Sequence, residues 1–182
     1  MGVRIILDST ANFRKDLENR FTIVPLMVNF GENSYADGIE IDNDTFYEKL
    51  VTSDVMPTTS QPTPDAFDRA FKEITEAGDE AVVITISSKL SGTYQSASIA
   101  AADYEGKVYV VDGYTVAIGT GALGEYALNL ADAGKSAKEI VEILEKEKAN
   151  IRVYAVVDTL EYLKKGGRVS AAAAFAGGLL NF

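Results

Sequence analysis

The sequence predicts an α/β fold: an open, mostly parallel sheet flanked by helices, followed by the start of a truncated second α/β unit. Three observations carry this expectation. Short apolar runs alternate with helix-periodic segments along most of the chain, as strands alternate with crossover helices in such sheets. Apolar residues make up 47% and charged residues 24%, a globular balance. The 182 residues suffice for one full core and the beginning of another. The expected division is residues 1–150 for the first unit and 151–182 for the start of the second.

Residues 3–7 read as a buried strand ending in the loop Asp8-Ser9-Thr10. A second apolar run, 23–30, leads into Gly31 and a polar stretch with the turn signal Asp37-Gly38. Asp42 is placed to cap a helix with Phe46, Tyr47, Leu50 and Val51 on its apolar face. Residues 56–64, holding three of the four prolines, read as neither helix nor strand. Thr63 then caps a helix with Pro64 at its first position, Asp65 complementing the dipole and Phe67, Ala70, Phe71 and Ile74 as its buried stripe. Residues 81–86 are a strand, 91–103 a helix and 107–111 a strand. Residues 115–133 form a helix apolar nearly all round, expected to be buried. Ser136 and Glu139 make a capping box for the next helix, which buries Ile140, Val141 and Leu144. Residues 151–157 read as a further strand. Beyond them Lys164, Lys165 and Arg168 flank Gly166-Gly167, and the chain becomes Ala- and Gly-rich.

Composition excludes several chemistries. No Cys and no His are present, so thiolate chemistry and a Ser-His-Asp triad cannot be built from these residues. A net charge of −10 repels phosphate backbones and anionic bilayers, which argues against nucleic acid as a partner. The longest apolar stretch, 169–180, is short of the ~20 residues a spanning helix needs, so membrane insertion is not expected. The first residues run straight into a strand pattern, and the expected location is cytoplasmic.

The strongest local signal is Ser87-Ser-Lys-Leu-Ser-Gly-Thr-Tyr-Gln-Ser96, between a strand and a helix. Free N–H groups at a helix start form a natural anion site, Gly92 permits close approach, and the Ser91 and Thr93 hydroxyls can donate. The helices after Asp42, Thr63 and Ser136 carry an acid in or beside their first turn (Asp44, Asp65 and Glu139), and this one has none before Asp103. Plain serine capping explains the same residues equally well. The loop Thr58-Thr-Ser-Gln-Pro-Thr63 is a second concentration of hydroxyls beyond a strand end, where ligands of open α/β sheets bind, or else a proline-locked turn. Gly119-Thr-Gly-Ala-Leu-Gly124 matches the dinucleotide fingerprint, but it lies inside a helical pattern rather than at a strand's end; close helix packing explains it better. Asp8 could serve a metal or a proton transfer, or simply bond its own loop. Lys164 and Lys165 read as a helix end with a glycine stop, leaving Arg168 unassigned.

Taken together, Asp8-Ser-Thr, Thr59-Ser-Gln-Pro-Thr63, Ser91-Gly-Thr-Tyr-Gln-Ser96 and Leu160-Glu-Tyr-Leu-Lys-Lys-Gly-Gly-Arg-Val-Ser170 resemble the DegV family in content, order and spacing. The resemblance covers the whole chain, and Gly177-Gly-Leu-Leu-Asn-Phe182 looks like the family segment leading into a further strand, cut short. It implies a carrier without chemistry of its own: no catalytic residue, no metal and no cofactor beyond a bound long-chain fatty acid. The tail would lie in an apolar tunnel between two domains. Thr59 and Ser91 are implied as carboxylate donors with the Gly92 backbone beside them, and Ser60, Asp8 and Thr93 as accessory groups. The resemblance also implies a partner, an ATP-dependent fatty acid kinase subunit that forms the acyl phosphate, with Arg168 near the carboxylate and the kinase contact. The family supplies a histidine from its second domain. These residues include none, which leaves the carboxylate site incomplete.

Burying ~15 methylenes at ~0.8 kcal/mol each is worth on the order of 12 kcal/mol before ordering and association costs. A tail would therefore dominate affinity and the hydroxyls would set orientation. The rival reading is a phosphotransferase or hydrolase that uses Asp8 with a phosphate at Ser91. Lys89 is thin support for it, since phosphate sites use a glycine-rich cradle, a cationic fork or a metal.

Overall fold

A computed structural model describes residues 2–170. Its strands are β1 (Val3–Asp8), β2 (Phe21–Val24), β3 (Met27–Phe30), β4 (Asn33–Ala36), β5 (Thr58–Ser60), β6 (Glu80–Thr85) and β7 (Val108–Asp112). Its α-helices are α1 (Asn43–Thr52), α2 (Pro64–Glu76), α3 (Thr93–Ala101), α4 (Ile118–Asp132), α5 (Ala137–Glu147) and α6 (Glu161–Lys165). Four strands pair in parallel in the order β2-β1-β6-β7, and β4-β3-β5 form a small antiparallel sheet. No helix among the described residues is long and apolar enough to cross a membrane.

Strand alternation explains the layering of the main sheet. Ile5 and Leu7 of β1, with Val82 and Ile84 of β6, face α4 and α5, where Leu123, Ala127, Ile140 and Leu144 close one core. Ile6, Ala81 and Val83 point the other way, onto Phe67 and Phe71 of α2 and Ala97 and Ala100 of α3. Helices therefore cover both faces, as a parallel sheet requires. The caps form where local chemistry put them. Asp42 accepts from the Thr45 N–H and Thr63 from that of Ala66, and Ser136 and Glu139 complete a reciprocal box. Those bonds push the Glu139 carboxyl down to about 2.

The architecture departs from the sequence reading in six places. The apolar run 23–30 divides at Pro25-Leu26 into β2 and β3, which belong to different sheets. Proline has no N–H to continue the ladder, so the chain turns there. Residues 58–60, within the stretch expected to be irregular, add β5 to the edge of the small sheet, with Thr59 opposite Val28. The β3–β4 hairpin was masked by its polar composition; Gly31, at φ 62, supplies its left-handed turn residue. Helix α4 begins at Ile118 and is buried on one face only, with Ile118 and Tyr126 exposed. Residues 151–157 form no strand: they pair with none of the described strands, and Tyr154 and Val156 stand fully in solvent while Ile151 packs on the core. Helix α1 also keeps Tyr47 and Val51 exposed, so its apolar stripe is only half used. The segment 177–182 lies outside the described residues.

Candidate functional site

All four strands of the main sheet end on the same side, so the loops after β1, β6 and β7 share one rim. The loop after β6 is the rigid centre. From the β1 side, the buried Asp8 carboxylate accepts the Ile86 N–H at 2.7 Å through one oxygen, and the Thr10 N–H and hydroxyl through the other. From the β7 side, the buried Asp112 carboxylate accepts the Ser88 and Tyr114 N–H groups at 3.0 and 3.1 Å, and the Ser87 N–H donates to the Thr115 carbonyl. Two acids at the ends of the strands on either side of β6 thus hold the backbone that leads to Ser91. Asp112 escaped the sequence reading, although its position after an apolar strand run is the same signal as that of Asp8.

Burial pushes the Asp8 carboxyl above its ordinary value, and the bonds from Thr10 and Ile86 only partly oppose this. The folded protein therefore holds this proton more tightly than the unfolded chain. The contribution to stability is full below the unfolded value, about 3.9, and is lost as pH rises through the folded one. We expect the Asp8 carboxyl to titrate above that value by carbon-detected NMR. A midpoint at or below it would mean that the bonds outweigh burial.

Helix α3 starts without the devices the other capped helices use. Its cap residue is Gly92, with no side-chain hydrogen bond and no acid in the first turn. Ser91 and the fully buried Thr93 share a hydroxyl–hydroxyl bond at 2.9 Å. With Thr93 donating, the Ser91 proton is left to point elsewhere. The helix begins two residues later than expected, which places Ser91 before the cap rather than in it.

The second motif reaches the same helix through a residue the sequence reading did not single out. Gln61, just after β5, donates from its amide nitrogen to the buried Ser96 hydroxyl at 2.9 Å. Its carboxamide lies against Gly92, where a Cβ would sit 2.0 Å from Oε1. Thr59 is exposed, on the face of the small sheet that carries Val28, and Ser60 faces the other way, accepting from Asn29 at 3.3 Å. Thr59 and Ser91 share no hydrogen bond; the bond between their segments is that of Gln61 to Ser96. The signal that could have found it is an unexplained glutamine between two hydroxyls and a proline.

Arg168 reaches the rim from the far end of the described chain. Its Nε donates to the Leu90 carbonyl at 3.2 Å and its Nη1 to the Gly166 carbonyl, while the side chain remains exposed. Gly167, at φ 72, provides the left-handed turn after α6 that aims it there. The Lys89 and Lys148 ammonium groups lie 5.1 and 5.4 Å from the centre of the Tyr114 ring. Tyr114 and Ala117 both hold positive φ, 54 and 51, so the loop after β7 carries backbone strain at this rim. Two surface hollows lie instead at the amino ends of β6 and β7, one lined by Ser98, Ala101 and Val108 and the other by Thr75, Gly78 and Lys107. Neither includes Thr59 or Ser91.

Gly119-Gly121-Gly124 cradles protein rather than a nucleotide. Gly119 lies in the first turn of α4, not deep inside it, and a Cβ there would meet Thr115 and Val153. At Gly121 it would meet the Asn12 backbone, and at Gly124 the Leu7 and Phe21 side chains.

The family model described as "uncharacterised protein, DegV family" matches residues 2–182. A DegV domain-containing protein of Deinococcus radiodurans is 37% identical over 183 residues, which cover all of this chain and 65% of that protein. A fatty acid binding DegV family protein from Thermus thermophilus superposes with a TM-score of 0.85 at 37% identity, over the whole of this chain and 65% of that one. A stearic acid-binding protein from Eubacterium ventriosum superposes with a TM-score of 0.83 at 32% identity, over 97% of this chain and 64% of that one. The chain thus spans just under two thirds of the length of these relatives.

Proposed function

The chain belongs to the DegV family, and from that premise we propose that it binds a long-chain fatty acid and presents the carboxylate to an ATP-dependent fatty acid kinase subunit. In this reading it is a cytoplasmic carrier in fatty acid metabolism, and residues 151–182 begin the second domain that would wall the tail. The observation that carries it is the joining of two hydroxyl-bearing segments, by Gln61, at a helix start that has neither a side-chain cap nor an acid. The Thermus and Eubacterium proteins described as fatty acid- and stearic acid-binding support the ligand class.

Thr59, Ser91 and the Gly92 backbone are the proposed donors to the carboxylate. The other groups act around them. Thr93 orients the Ser91 hydroxyl, Ser60 ties β5 to Asn29, and Asp8 holds the loop from below. A carboxylate accepts these hydrogen bonds in its ordinary ionised form, so no donor here needs a shifted pKa. The rival phosphotransferase reading requires Asp8 as a nucleophile or base. Asp8 is fully buried with both oxygens engaged by backbone N–H groups, which leaves it poorly placed to meet a substrate.

Ser91→Ala is the direct test. A hydrogen bond to a charged group contributes ~1.5–3 kcal/mol, so the variant should bind a fatty acid at least about tenfold more weakly. The corresponding methyl ester carries no charge and should hardly notice the change. Equal losses for acid and ester would remove the carboxylate from Ser91.

A further inference from the structure

We propose that Gln61 is a positioning residue that sets the separation of the two donor segments, and that Gly92 is glycine because the Gln61 carboxamide occupies the place of its side chain. The proposal rests on the fatty acid reading for its ligand, but its geometry stands apart from that reading. Thr59 is carried by a small sheet and Ser91 by the main one, and β2 and β3 diverge at Pro25-Leu26 between them. Within either sheet, ladder bonds fix distances to fractions of an ångström. Between the sheets, nothing in a ladder fixes the distance from Thr59 to Ser91. Gln61 lies two residues after Thr59, and its amide bonds Ser96, five residues after Ser91 and itself buried.

The fit is specific on both sides. Oε1, Cδ and Nε2 of Gln61 lie 2.0, 2.7 and 2.9 Å from where a Gly92 Cβ would be, far inside any real contact. Alanine at 92 must therefore displace the carboxamide, the far end of a flexible side chain, and its bond to Ser96 is expected to be lost with the move. Glutamate at 61 would keep the length but lose the donor, placing a negative charge beside the proposed carboxylate position. Removing the side chain at 61 would free Thr59 and Ser91 to adopt separations at which only one of them reaches a carboxylate.

A double-mutant cycle in the full chain tests this, using oleate and methyl oleate as probes and thermal unfolding as a ligand-free readout. Gln61→Ala and Gly92→Ala should each weaken oleate binding about five- to tenfold, the loss of roughly one hydrogen bond's worth of orientation, and leave methyl oleate within about twofold. The double variant should be no worse than either single, because the Cβ evicts a group already gone. Gln61→Glu should bind oleate more weakly than Gln61→Ala while treating the ester alike, which a purely structural role would not produce. Additive losses, or equal losses for acid and ester, would overturn the positioning role. Failure of the wild-type protein, second domain included, to bind either lipid would sink the fatty acid reading instead. The clamp would then be judged on unfolding midpoints alone, where additive shifts for the two substitutions would overturn it.

Discussion

Gly121→Ala should lower the unfolding midpoint by about 4–8 °C. In a helix interior, alanine is favoured over glycine by ~1 kcal/mol, so propensity alone predicts a gain. The surroundings reverse the sign. A Cβ on Gly121 would lie 1.8 Å from the Asn12 carbonyl oxygen and 2.5 Å from its carbon, both backbone atoms with no rotamer to escape into. The segment cannot easily retreat, because the Asn12 N–H donates to the Ala117 carbonyl and the Arg14 N–H to Glu125. Overpacking against backbone costs roughly 3 kcal/mol, which the propensity gain reduces to about 2 kcal/mol, and for a chain of this size each kcal/mol shifts the midpoint by about 2–4 °C. Gly124→Ala is the control. Its new methyl would meet the Leu7 and Phe21 side chains at 2.9–3.2 Å, which can yield, so it should cost less than half as much. Calorimetry on both variants decides the matter. A wild-type midpoint for Gly121→Ala would mean that the loop after β1 does not lie on α4.

Arg168→Ala should reduce acyl phosphate formation, with ATP and the partner kinase, by tenfold or more, and should leave fatty acid binding within a few-fold. Under the proposed function the two quantities draw on different interactions. Tail burial supplies most of the binding, so one exposed cation at the rim matters little to it. Phosphoryl transfer gathers charge on the oxygens being joined, where a positioned guanidinium is worth several kcal/mol. Arg168 is held by two backbone carbonyls, one of them Leu90 beside Ser91, so its fork is preset rather than recruited. Lysine at 168 should rescue poorly, lacking the second nitrogen. Binding that falls in proportion to turnover would make Arg168 a ligand anchor only, and unchanged turnover would make it a surface charge.

What was legible in the sequence was local. Thr63-Pro64, Asp42 and the Ser136–Glu139 box announce their helices within four residues, and the structure places those caps as read. The main sheet was legible because its strands, buried on both faces, are continuous apolar runs. The same signal misled at 23–30, where hydropathy does not register that Pro25 ends a ladder, and at 151–157, where apolar residues carry strand character without a strand partner. The candidate site followed the same division. Ser91 and Gly92 stood out because a helix start without an acid is visible in the sequence. Gln61 and Asp112 did not, since the first acts on Ser96, 35 residues away, and the second on Ser88, 24 residues back, and neither pairing exists until the strands are ordered.

The separateness of the small sheet has a kinetic consequence. Its own core is Val28, Phe30 and Ile41, with Tyr35 and Phe46 packed against it, whereas the two cores around the main sheet hold most of the buried apolar side chains. The free energy of local opening scales with the apolar contacts an opening unit must give up. The hairpin and the strand bearing Thr59 are therefore expected to open as a unit of their own, with amides that exchange with solvent before those of β1 and β6 in a hydrogen-exchange measurement. One donor of the proposed site would then be disengaged and restored many times within the lifetime of a single global fold. A lipid could be taken up or handed on at the rate of that local breathing, with the main sheet as an unmoved support.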